Sequence, residues 1–272
     1  MVSQSIVNQR RVYRFLFLDS AFVLPETTPK ACDTHHRYPE KFFLNWKEDV
    51  EDISRLQLDK YLLKICNKTR LIEIIYDFVL FDGGIKKLPR AHQYFGIKAA
   101  QEHIRRREGG IIWHTQGSGK SIVMVLLAKW ILENNPNARV AIITDRDELD
   151  KQIERVFNDA GEPIKRTTSG RDLMAQLAEA KPRLLCSLVH KFGKKAVDNF
   201  EEFIKELESQ PAKAVGELFL FVDECHRTQS GKLHRTMKAM LPSAIFIGFT
   251  GTPLLKKDKQ TSLGIRQIHP HL

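Results

Sequence analysis

An α/β fold with a largely parallel sheet is predicted by three features of this chain. First, short and largely apolar runs recur at 109–113, 139–144, 183–189, 218–222 and 244–249, separated by helical patterns or turn residues. Runs without polar alternation mark strands buried on both faces, the condition of a parallel sheet covered by helices. Second, the run at 109–113 passes through a glycine-rich turn into the apolar segment 122–129, giving strand, turn and helix in succession. Third, two later runs deliver polar groups at their C-terminal ends, Asp223-Glu224 and Thr250-Gly251-Thr252-Pro253, and the C-terminal edge is where such sheets place ligands.

The turn is the most informative stretch. Its residues are His114-Thr115-Gln116-Gly117-Ser118-Gly119-Lys120-Ser121. Gly117 and Gly119 let the backbone curl so that N–H groups converge on an anion at a helix N-terminus. Lys120 brings a positive charge to outer phosphates, and the Ser121 hydroxyl suits Mg²⁺. The generic eight-residue pattern has glycine at its first position, where this chain has His114. A chance lysine after a glycine-rich turn is the plain alternative; the strand before and the helix after argue against it.

Asp223-Glu224 follows the strand 218–222 about one hundred residues later. There Asp223 can hold Mg²⁺ through water and Glu224 can polarise an attacking water, whereas such a pair in isolation is usually a solvated strand end. The hydroxyls of Thr250 and Thr252 sit at the end of the strand 244–249, where they could link the carboxylates to a bound strand. About twenty residues ahead of the loop, the helix predicted from residue 90 carries Gln93, whose amide can both donate to and accept from an adenine edge.

The rest of the chain is read in order. Residues 12–18 suggest a strand, and Pro25, Pro29 and Pro39 bracket a loop with Asp33, His35 and His36, which lack regular metal-ligand spacing. Apolar positions from 53 to 78 suggest one or two amphipathic helices, ended by Asp82-Gly83-Gly84. Asp145, Asp147 and Glu148 suit the first turn of a helix, and another opens at 168–173. The charged stretch 194–213 reads as a solvated helix face. The expected organisation is a mostly helical connector over 1–85, an ATP-binding lobe over 86–256 and a tail over 257–272.

The 43 Lys+Arg against 33 Asp+Glu leave a net charge of +10, which favours a polyanionic partner. Cys32, Cys66, Cys186 and Cys225 have no CxxC spacing, so neither a zinc site nor a disulfide framework is indicated, as for reduced thiols in the cytoplasm. The apolar patch near the N-terminus is too short and interrupted for a signal peptide or a membrane span.

With these sites in order, the chain resembles a superfamily 2 helicase or translocase. It is most similar to the restriction (motor) subunit of type I restriction-modification enzymes, over residues 50–258. The most specific segments are RAHQYFGIKAA, IIWHTQGSGKS, VAIITDRDELDKQI, TSGRDLMAQL, FVDECHR and FIGFTGTPL. The resemblance implies a RecA-like P-loop lobe with ATP and Mg²⁺ as cofactors. It further implies double-stranded DNA and the methyltransferase and specificity subunits as partners, and ATP-driven translocation leading to DNA cleavage. In that frame Gln93 reads adenine, Thr115, Gln116, Gly117, Ser118, Gly119 and Lys120 hold phosphates, and Ser121 and Asp223 hold Mg²⁺. Glu224 then positions water, Thr250 and Thr252 couple hydrolysis to movement, and Arg146 touches DNA backbone.

Two departures bear on activity. Residues 1–90 offer no convincing Asp…Glu-x-Lys nuclease, and no second RecA-like lobe with its arginine follows Pro253, so a fragment with a truncated or frameshifted end is expected. Such a chain should bind Mg·ATP with little turnover alone. A stand-alone superfamily 2 repair helicase and a nucleotide-binding module without turnover are the competing readings.

Overall fold

The computed structural model describes residues 63–82, 85–115, 117–144, 151, 154, 157, 164–188, 196–210, 213–223, 228–251 and 267–268. Two compact units are present: one runs to Val79 and takes in Leu88–His92, and the other comprises Leu80–Lys87 and Gln93–His271.

In the first unit, α1 (Lys68–Glu73) is capped by Asn67, whose side chain accepts from Thr69 N and Arg70 N. It continues into a π-helical turn, Ile74–Phe78, that buries Ile74 and Phe78. In the second unit, β1 (Leu80–Asp82) and β2 (Ile85–Lys87) pair antiparallel, with Asp82 opposite Ile85. Leu80–Asp82 and Ile85–Lys87 are thus paired strands where the sequence suggested only the end of a helical block. Asp-Gly and Gly-Gly between short strands are hairpin signals.

The remainder of this unit is a parallel sheet. Its strands are β3 (Gly110–Trp113), β4 (Ala138–Thr144), β5 (Ile164–Thr167), β6 (Leu184–Leu188), β7 (Glu217–Val222), β8 (Ile245–Thr250) and β9 (Gln267–Ile268), in the spatial order 5-6-4-7-8-3-9. Every pairing is parallel, so all strands end at the same edge. The five strands expected from residue 109 onward are all present, while the one suggested at 12–18 lies outside the described residues. The central β4 and β8 are buried throughout, as their unbroken apolar sequences require. The edge strand β5 reads Ile-Lys-Arg-Thr and has two exposed residues; it is too short and polar to announce itself in the sequence. Gln267–Ile268 joins the sheet beside β3, within the stretch expected to be a tail.

Helices complete the layers. α2 (Ala91–Arg105) precedes β3, and α3 (Lys120–Asn134) follows it. α3 is apolar on every side, burying Val123 through Ala128 and Trp130 through Leu132, as a helix enclosed within an α/β unit does. On one sheet face Ala141, Ile143, Leu185, Leu220, Val222 and Phe246 pack with α4 (Gly170–Leu177), α5 (Ala196–Glu208) and α6 (Thr228–Met240). Phe221 and Phe249 project to the other face, ring centroids 5.3 Å apart. The stretch expected to be a solvated helix face is corrected: α5 drives Phe203, Ile204 and Leu207 into the core. Charged residues are interleaved with that apolar stripe in the sequence, which masked it.

Two arginines serve as internal fasteners. Arg139 is buried and donates to Leu177 O at 2.7 Å, Gln176 O at 2.8 Å and Pro182 O at 3.0 Å, satisfying the C-terminal carbonyls of α4. Arg183 does the same for α3, reaching Leu132 O at 2.6 Å and Asn135 O at 2.7 Å. Part of the positive charge counted in the sequence is therefore structural.

His234 of α6 lies edge-on to Phe246, centroids 4.8 Å apart. Burial, with a smaller contribution from Lys238, lowers its pKa to about 4 from 6.5. The neutral ring is held in the fold while the unfolded chain accepts a proton more readily. Between pH 6.5 and 4 the unfolded state therefore binds more protons, and stability falls as pH falls, by up to about 3 kcal/mol for this group. A His234→Leu variant, melted at pH 7 and pH 4.5, is expected to lose less of its midpoint than the wild type over that interval.

Candidate functional site

The site is built at the C-terminal edge of β3, β4, β7 and β8. Register brings Trp113 opposite Thr250, Val222 opposite Gly248, and Ile143 opposite Val222. The chain leaves β3 at His114, whose N–H donates to Thr250 O at 3.0 Å, and enters the glycine-rich turn. Gly117 (φ 78°) and Gly119 (φ 81°) both take left-handed conformations, which a side chain strains. Ser118 closes the turn on itself, its N–H and hydroxyl both reaching Thr115 O, at 3.2 and 2.6 Å.

The α3 N-terminus differs from an ordinary one. Gly119 is its N-cap and supplies no side-chain acceptor, and no acidic residue occupies the first turn. The first helical residue is instead Lys120, a cation at the positive end of the helix dipole. The contrast with α4 is direct. There Ser169 accepts from Asp172 N, Asp172 lies in the first turn, and Glu206 Oε2 accepts from Gly170 N at 2.8 Å. α4 satisfies its own donors with oxygens; α3 presents donors and a lysine with no carboxylate in its first turn. That arrangement lowers helix stability and suits an anion.

Lys120 is buried, and its ammonium donates to His114 O at 3.3 Å. Gln93 is buried on α2, and its amide nitrogen donates to Ser118 O at 2.9 Å and Gly119 O at 3.3 Å. The expected adenine-reading residue thus grips the phosphate-loop backbone. Asp223 follows β7 at the same edge and is buried. Its N–H donates to Ile143 O at 3.0 Å, and its Oδ2 accepts from the Thr144 hydroxyl at 3.4 Å. Thr144 was not singled out in the sequence; a hydroxyl ending a buried strand two places from β8 is the signal that it offers. Thr250 is wholly buried. The structure brings together Gln93, Thr115, Gly117, Ser118, Gly119, Lys120 and Ser121 around one turn, with Asp223 and Thr250 on the same edge. Gln116, Arg146, Glu224 and Thr252 lie outside the described residues, as do Asp33, His35 and His36.

The two loop glycines are not equivalent. A Cβ at Gly119 would lie 2.5 Å from Gln93 Nε2, whereas one at Gly117 meets nothing within 4 Å. Gly119→Ala is expected to weaken nucleotide binding by about tenfold or more, and Gly117→Ala by less, since it carries only the backbone strain of about 1–2 kcal/mol. Calorimetric titration of both variants checks the order.

A glycine-lined turn between a parallel strand and a buried helix, with lysine and carboxylate on one sheet edge, defines a P-loop nucleotide-binding lobe of the RecA-like α/β kind. The SWI2/SNF2 ATPase family pattern matches residues 92–267, and the chain belongs to that family. It is an ATPase motor domain, homologous to the endonuclease subunits of type I restriction enzymes. It is 31% identical over 256 residues to the HindI endonuclease subunit of Haemophilus influenzae, covering 80% of this chain and 24% of that protein. It is 30% identical over 220 residues to a type I restriction enzyme endonuclease subunit of Methanocaldococcus jannaschii, covering 76% of this chain and 20% of that one. The chain therefore spans about a fifth to a quarter of the length of these relatives. Among solved structures, the Sulfolobus solfataricus SWI2/SNF2 ATPase core in complex with dsDNA superposes with a TM-score of 0.51. The match covers 70% of this chain and 36% of that one at 12% identity, a likeness of fold. Among the described residues no helix is long and apolar enough to cross a membrane.

Proposed function

We propose that this chain is the nucleotide-binding motor lobe of an ATP-driven translocase on duplex DNA, of the kind that type I restriction enzymes use to reach their cleavage sites. The observation that carries the reading is the lysine-bearing α3 N-terminus without a side-chain cap, at the same sheet edge where the buried Asp223 follows β7. Backbone N–H groups of 117 and 119–121 and the Lys120 ammonium hold the ATP phosphates. Ser121 and Asp223 are the residues that would hold Mg²⁺, which supplies charge neutralisation on the phosphates. Both fit: a hydroxyl at the first turn of α3 and a buried carboxylate beside Thr144 are oxygen donors suited to a hard cation. Glu224 orients the attacking water, and Thr250 and Thr252 carry the change of state to the DNA.

The domain division follows as a proposal. Residues 1–85 form the connector and 86–256 the ATP-binding lobe, with Gln267–Ile268 of the final segment paired to the same sheet. Methyltransferase and specificity subunits are the partners this reading implies, in the cytoplasm where unmodified DNA is met. The test is single-turnover hydrolysis of Mg·ATP with and without duplex DNA. DNA-dependent acceleration, even if small, supports a motor lobe. Binding with no turnover under either condition supports a nucleotide-binding module instead.

DNA binding is expected to be non-specific and strongly salt-dependent. Arg139 and Arg183 are consumed by helix ends, while Arg107 pairs with Glu217 at 2.9 Å and Arg166 with Glu154 at 2.8 Å. What charge remains for DNA gives phosphate contacts, with Arg146 a candidate, and these lose affinity as added salt reduces the free-energy gain from counterion release. Titration of a random-sequence duplex between 50 and 200 mM salt should show affinity falling steeply, by about tenfold or more. A footprint on one sequence that persists at high salt would contradict this.

A further inference from the structure

We propose that His114 is a positioning residue for the phosphate loop, and that Gly96 is the socket on α2 that receives its imidazole. The proposal rests on the nucleotide-binding reading above and assigns a role to the position where this chain departs from the generic glycine. His114 is buried, and its backbone is fixed on both sides. Its N–H donates to Thr250 O at 3.0 Å, and its carbonyl accepts from Lys120 Nζ at 3.3 Å. Its side chain runs to α2, where a Cβ on residue 96 would lie 2.9 Å from Nε2 and 3.2 Å from Cε1. No side chain larger than hydrogen fits there unless the imidazole moves.

Glycine inside a helix is otherwise unfavourable, so its presence in mid-α2 asks for a packing reason, and the imidazole provides one. Gly96 follows Gln93 by three residues, which puts the two on one helix face. α2 therefore holds the loop at two points. The Gln93 amide grips the carbonyls of Ser118 and Gly119 at the far side of the turn. The Gly96 hollow seats His114 at the near side. Because the His114 carbonyl is also the acceptor for Lys120, the depth of the imidazole in its socket sets where the lysine stands relative to the loop. A glycine at 114 would leave the hollow unfilled and this end of the loop free to shift.

The test is a double-variant cycle on Mg·ATP affinity by calorimetry, with melting midpoints measured in parallel. Gly96→Ala and His114→Gly are each expected to weaken binding by about tenfold, within the range typical of contacting residues. The double variant is expected to bind no more weakly than His114→Gly alone, because the added methyl then meets no imidazole. Alanine is the better helix former, so any loss in Gly96→Ala arises from the contact rather than from α2 itself. Should Gly96→Ala fail to fold, recovery of folding and binding in the double variant supports the pairing, and failure to recover overturns it. Wild-type affinity in Gly96→Ala, or losses that multiply in the double variant, overturn the proposal. So does a shift in melting midpoint with the affinity of the folded protein unchanged, the pattern of packing without positioning. A wild-type chain that binds no Mg·ATP overturns the functional reading and this role with it, an outcome distinct from those that sink the socket alone.

Discussion

Replacing Lys120 with alanine is expected to weaken Mg·ATP binding by about 10²-fold while leaving the melting midpoint equal to or above that of the wild type. The two signs come from the same place. Lys120 is the first residue of α3, at the positive end of the helix dipole, with no acidic neighbour in that turn. Removing a cation there relieves a repulsion, and alanine is the better helix former. In the nucleotide complex the same ammonium faces phosphate oxygens, and truncating one partner of a buried charge pair typically costs about 2–5 kcal/mol. A lysine kept for structure would show the reverse pattern, a loss of stability with affinity unchanged. Calorimetry and thermal melting on one preparation read both signs.

The second large effect separates the two carboxylates that follow β7 in the sequence. Asp223→Asn keeps the shape that meets the Thr144 hydroxyl but removes the negative charge that this residue offers a cation. It is expected to abolish most of the difference in ATP affinity measured with and without Mg²⁺. Glu224→Gln is expected to keep that difference and to lower single-turnover hydrolysis by about 10²–10⁴-fold, the usual contribution of a positioned base. Equal behaviour of the two variants would show that the roles are not divided as proposed.

How much of this was legible in the sequence depends on how local the signal was. The long buried strands β4, β7 and β8 could be read because parallel pairing buries both faces and leaves an unbroken apolar run. The phosphate loop was legible because two left-handed positions demand glycine at 117 and 119, whatever surrounds them. β5 and β9 were not, since an edge strand of two to four residues draws its order from the neighbour it pairs with. α5 was misjudged because its apolar stripe at 203, 204 and 207 is interleaved with charge, and only the sheet beneath reveals which side faces inward. Thr144 and Gly96 in the site, and the Arg139 fastener in the fold, depend on contacts across 79, 18 and 37–43 residues of sequence. No pattern along the chain announces such pairs. Gln93 was found for its chemistry as an adenine reader, yet its amide is placed on the loop backbone, a contact that only the packing of α2 could show.

The central claim is that the backbone of residues 117–121 and the end of β7 form one Mg·ATP site, and amide hydrogen exchange tests it most directly. The wild-type chain would be exchanged with and without saturating Mg·ATP, and the Lys120→Ala variant treated alike. At the lowest Mg·ATP concentration that saturates the wild type, the account predicts marked slowing in its peptides covering 115–123 and 220–226, largely lost in the variant, with the N-terminus of α4 at 169–173 unchanged in both. Slowing that is confined to other segments, or that survives in Lys120→Ala, would contradict it.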